Sequence, residues 1–81
     1  MGFVERAEAL FLSDLQPSQR PTPDQVTEAV EVELHRSTKT ARAAAVSAEY
    51  GEHPDTAPAR MRWALGVLAT QAITRKLPIA A

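Results

Sequence analysis

Apolar residues recur along this chain at spacings of three and four, the interval that gathers side chains on one face of an α-helix. In residues 3–15 the recurrence is Phe3, Ala7, Leu10 and Phe11, with Glu5, Arg6, Glu8 and Ser13 between them, and it predicts a first amphipathic helix. Gln16-Pro17-Ser18-Gln19-Arg20-Pro21 is polar and carries two prolines that cannot continue a helix. Residues 17–22 therefore read as a loop long enough to turn the chain back.

Thr22-Pro23-Asp24-Gln25 has the signature of a helix start: Thr22 as N-cap, Pro23 at the first helical position, Asp24 favourable to the dipole, and Gln25 closing a capping box. No further Gly or Pro interrupts the chain before Gly51. Val26, Ala29, Val30, Leu34, Ala41, Ala44, Ala45 and Ala48 keep the helical period. The pattern predicts one helix of about 28 residues, roughly 42 Å long at 1.5 Å per residue, ending at Tyr50 or Gly51. Its weak point is Ser37-Thr38-Lys39-Thr40, whose three hydroxyls compete for backbone hydrogen bonds, so a kink or break would fall there.

Glu52-His53-Pro54-Asp55 reads as a turn, since Pro54 disfavours helical dihedrals at His53. A third helix should start with Asp55 or Thr56 as N-cap, carry Pro58 in its first turn, and run to about Lys76 before Pro78. Its stripe is Met61, Ala64, Leu65, Leu68 and Ala72; Leu77 to Ala81 reads as a frayed tail. No strand pattern or internal repeat emerges. The expectation is an all-α, three-helix up-down-up bundle with a long central helix, a single domain over residues 1–81.

Composition narrows the chemistry. With 81 residues, 44% of them hydrophobic and 23% charged, the chain has the balance of a folded domain with a thin core. The absence of cysteine excludes disulfides, thiolate metal sites and thiol nucleophiles. A formal net charge of -1 lacks the basic excess usual for a nucleic-acid-binding domain. The first residues show no basic signal region and no apolar run of spanning length, so a cytoplasmic location is expected, with no membrane partner.

The segment Tyr50-Gly51-Glu52-His53-Pro54-Asp55-Thr56-Ala57, continuing to Ala59-Arg60-Met61-Arg62-Trp63-Ala64, resembles a signature of small actinobacterial proteins. In that group an aromatic-Gly-acid-His-Pro-acid-Thr-Ala turn leads into an Ala-Arg-Met-Arg-Trp-Ala helix start. The resemblance covers about a fifth of the chain. It implies that the turn matters and implies no mechanism.

Candidate chemistry is sparse. His53 beside Asp55 could act as a base or hold an anion, but with no Ser, Cys or second catalytic acid nearby the favoured reading is that Asp55 caps the third helix while His53 and Pro54 shape the turn. Glu31 and His35 have the i,i+4 spacing of metal ligands, with Glu28 nearby, yet a solvated pair explains them and the chain has only two histidines. No metal, cofactor or small-molecule substrate is expected, and no enzymatic activity. Arg36, Lys39 and Arg42, with Arg60 and Arg62, make a basic set that would serve a small nucleic-acid-binding regulator, the second reading.

The first reading rests on apolar residues outside the stripes. On a helical wheel Trp63 and Val67 lie opposite Met61, Leu65 and Leu68, while Val32, Ala43, Val46 and Tyr50 fall off the stripe of the second helix, and Leu12 off that of the first. Either the bundle widens to cover them, with Trp63 packing near Tyr50, or they form an exposed patch. The patch reading makes the protein a non-catalytic interaction module, a homodimer or a binder of another protein, with Tyr50, Trp63, Val67 and Val46 as anchors and Arg60 as a rim charge.

Overall fold

The computed structural model describes residues 2–76. Its elements are α1 (Phe3–Leu12), a single 3-10 turn (Pro17–Gln19), α2 (Pro23–Arg36), α3 (Lys39–Glu52) and α4 (Ala57–Lys76). The all-helical expectation holds, with no strand among the described residues. Among the described residues the count of α-helices is four and not three. The expected tail, Leu77 to Ala81, lies outside the described residues.

The long helix expected from Pro23 to Tyr50 is two helices of 14 residues each. Ser37 and Thr38 are both extended, with φ/ψ of -140/153 and -85/162. The competing hydroxyls do the breaking: Ser37 Oγ donates to Glu33 O at 2.7 Å, and Thr38 Oγ1 accepts from Ala41 N at 3.1 Å, capping α3. Two extended residues also reset the helical phase. Ala41, Ala44 and Ala48, placed on the core stripe by the sequence pattern, are exposed, and the inward face of α3 is Arg42, Ala45, Val46 and Glu49.

Arg42 is 2% exposed. Its guanidinium reaches back to the end of α2, where Nη1 donates to Ser37 O at 2.7 Å and Ser37 Oγ at 3.2 Å. A cation is thereby held against the carbonyl and hydroxyl of the residue that ends α2. The α2 start forms as its sequence predicts: Gln25 N donates to Thr22 Oγ1 at 3.2 Å, and Thr22 N donates to Gln25 Oε1 at 2.8 Å.

The centre of the bundle is α1, the shortest of the four α-helices, and not the segment after Pro23. It packs against α2, α3 and α4, whereas α3 and α4 barely meet. Ala7, Ala9, Leu10 and Phe11 are all buried; positions 9 and 11 lie about 200° apart on a helix, so α1 is enclosed around most of its girth. Its alanines let neighbouring backbones approach closely. The core is completed by Val26 and Val30 of α2 and by Ala57, Ala64 and Leu68 of α4. Beyond Leu68, α4 runs past the body of the bundle with Ala69, Thr70 and Ile73 exposed, and the molecule measures 48 × 25 × 18 Å. Among the described residues no helix is long and apolar enough to cross a membrane.

Charged pairs tie α1 to its neighbours. Arg6 Nη1 lies 3.7 Å from Glu31 Oε1, and Lys39 Nζ lies 3.2 Å from Glu5 Oε1. The bond from Lys39 holds the Glu5 carboxyl below its ordinary value. A carboxyl with a depressed folded pKa stabilises the fold above its unfolded pKa, and that stabilisation is lost as pH falls through the folded one. Glu5→Gln should therefore lower the urea midpoint at neutral pH, and the gap to the unmodified protein should close below about pH 4, the ordinary carboxylate range. A gap that widened in acid would contradict the pairing.

Candidate interaction surface

The last turn of α1 leaves carbonyls without helical partners. Ser13 serves one of them, its backbone N donating to Leu10 O at 3.1 Å and its Oγ to the same atom at 2.6 Å. Arg60, in the first turns of α4, serves others at and just after the helix end. Its Nε donates to Phe11 O at 2.7 Å, and one terminal nitrogen donates to Ser13 O and Leu15 O at 2.9 Å each and to Leu10 O at 3.5 Å. Partial burial pulls the guanidinium below its ordinary value while the Glu49 carboxylate acts the other way, and it stays charged. A cation at the negative end of the α1 dipole locks α4 to α1.

That lock positions an aromatic cluster. The Arg60 guanidinium lies 5.1 Å from the ring centroid of Trp63, one turn further along α4. Phe11, next to the carbonyls that Arg60 binds, stacks on Tyr50 with centroids 5.9 Å apart and planes 18° from parallel. Tyr50 remains 37% exposed and Trp63 is half-buried.

Trp63 stands as a ridge between two open grooves. The first, about 570 Å³, is walled by Phe11, Thr56, Ala59, Arg60 and Trp63, with Glu49 and His53 at its α3 side. The second, about 510 Å³, runs between α4 and the start of α2, lined by Pro21, Pro23, Val26, Gly66, Val67 and Trp63. A Cβ built on Gly66 meets nothing within 4 Å, so that wall is open.

The five anchors expected from the sequence divide. Trp63 and Arg60 wall the first groove, Val67 joins Trp63 in the second, and Tyr50 stacks on the Phe11 wall. Val46 packs inward against the core and lines neither groove. Arg60, expected as a rim charge, is a clamp on backbone carbonyls. Glu49 and the proline pair Pro21 and Pro23 are features of this surface that the sequence does not single out, because their roles depend on which helices become neighbours.

The basic set does not assemble into a stripe. Arg42 is buried, Arg60 is spent on α1, Arg36 Nε pairs with Glu33 Oε1 at 3.2 Å, and Lys39 pairs with Glu5. Arg62 lines the second groove and is the member without such a partner among the described residues. The side chains of Glu31 and His35, expected as a solvated i,i+4 pair, have separate partners: His35 Nδ1 donates to the backbone O of Glu31 at 2.7 Å, while the Glu31 carboxylate faces Arg6. His53 acts through its main chain, its carbonyl accepting from Thr56 N at 3.2 Å and Ala57 N at 2.8 Å to start α4. Its Nε2 lies 3.9 Å from Glu49 Oε2, and Glu49, Glu52 and His53 bring one ligand atom each within 4.8 Å of one another.

No family model, no curated protein sequence and no solved structure matches this chain.

Proposed function

We propose that this protein is a non-catalytic interaction module that binds another protein across the Trp63 ridge. The observation that carries the reading is the placement of its one tryptophan, clamped by Arg60 and left half-buried between two open, largely apolar grooves. Large aromatic side chains beside arginine, held rigid before a partner arrives, are the usual anchors of protein interfaces. The nucleic-acid reading gains nothing from the positions of Arg36, Lys39, Arg42 and Arg60, each already paired or buried.

Peptides selected by display against the immobilised protein test the proposal directly. They are expected to bind it and to lose about tenfold or more in affinity on two variants, Trp63→Ala and Ala59→Gln. The second fills the first groove from an exposed position and leaves the core alone. Far-ultraviolet circular dichroism should show both variants folded. Selected peptides indifferent to both substitutions, or a selection that yields none, would overturn the proposal.

A further inference from the structure

We infer that the occupant of the first groove is a segment of another protein that carries an arginine or lysine beside an apolar side chain, the cation seated at Glu49 and Glu52; this deepens the function proposed above and rests on it. The argument begins with an electrostatic mismatch. The C-terminal end of a helix carries partial negative charge and favours basic residues. The last turn of α3 has none, and instead places Glu49 and Glu52 there. Their carboxylates lie close to each other and to His53, which counts as a cation only when protonated.

Arg60, the cation nearest in the wall, offsets the mismatch only in part: its charge acts on Glu49 through space, while its donors are turned to main-chain carbonyls at and after the end of α1. The rim at the end of α3 therefore keeps an excess of negative charge, two carboxylates and a helix terminus beside the His53 ring and the Arg60 guanidinium. Next to it stands an apolar wall of Pro17, Ala59 and Trp63, with Phe11 and Ala57 buried behind it. A bare metal ion would satisfy the carboxylates and leave that wall uncovered. A guanidinium or ammonium on an aliphatic stem, with an apolar neighbour in the same segment, satisfies both.

The probes are two peptides of about twelve residues, ample to cross such a groove, with identical leucine positions, one carrying arginines and the other glutamates at the same intervening sites. Binding is followed by the emission of Trp63, since the peptides contain no tryptophan. The arginine peptide is expected to bind more tightly, by about tenfold, with the preference shrinking as salt is added. Glu49→Gln combined with Glu52→Gln should abolish the preference and leave helicity unchanged. Ala59→Gln should weaken both peptides.

Equal binding of the two peptides, or a preference that survives the double substitution, overturns the inference while leaving the interaction module intact. Binding of neither peptide, together with display peptides indifferent to Trp63, overturns both. Zinc binding lost in the double variant, without any preference for the arginine peptide, would assign the carboxylates to a metal and overturn the inference. A concentration-dependent dimer lost in the same variant would assign the cation to a second copy and overturn it equally.

Discussion

Replacing Arg60 by alanine is expected to lower the stability of the fold by about 3 to 5 kcal/mol, read from urea unfolding followed by circular dichroism. Each hydrogen bond from a charged donor to a carbonyl contributes roughly 1.5 to 3 kcal/mol net, and Arg60 makes three of 2.9 Å or shorter. The sum is reduced because the guanidinium is only partly buried and the contacts are not additive. An 81-residue domain has about 4 to 12 kcal/mol to lose, so the variant should be marginal at room temperature. Lysine at this position should recover little, since one ammonium cannot reproduce the planar fork that spans Phe11, Ser13 and Leu15. A loss under about 1 kcal/mol would mean that water serves these carbonyls as well as Arg60 does.

Leu10→Ala should cost a comparable amount, about 3 to 4 kcal/mol, against about 1 to 2 for Leu34→Ala. Leu10 is fully buried in the helix that packs most extensively on the other three, and its deletion leaves a cavity whose walls cannot all collapse at once. Leu34 is half-buried near the end of α2. The comparison discriminates between architectures. A bundle centred on the segment after Pro23 would reverse the order of the two losses; one centred on α1 gives the order stated.

The two substitutions mark where the sequence is legible and where it is not. Thr22 to Gln25 contains its own capping partners three residues apart, so the start of α2 can be read independently of the rest of the fold. Ala64 and Leu68 follow a period that survives to the end of the core, and the stripe of α4 is where the pattern puts it. Ser37 to Thr40 signals a weak place but not its consequence. A helix that stops for two residues and restarts is out of register with its earlier face, so Ala44 and Ala48 turn outward and Arg42 turns in.

The interaction surface is half visible in the sequence. Trp63 and Val67 stand out because they miss the stripe, a property of local sequence. The role of Arg60 cannot be found that way, because its partners are main-chain oxygens of residues 45 to 50 positions earlier, which every sequence possesses. The acidic end of α3 is open to notice as Glu49 and Glu52 before a turn. Its meaning requires the wall of Phe11 and Trp63 beside it.

The order in which the chain is made gives the central position of α1 a further consequence. α1 leaves the ribosome first among these helices, yet the surfaces that enclose it come from α2, α3 and α4, and Arg60, which closes its end, is synthesised 49 residues after Phe11. Growing chains commonly fold from the N-terminal side as they emerge. Here α2 and α3 can cover part of α1 as they emerge, but the face that α4 encloses stays open until α4 arrives, and the carbonyls that Arg60 binds wait as long for their partner. The last of the core is therefore supplied only near the end of the described chain, and until then part of the apolar surface of α1 is open to aggregation.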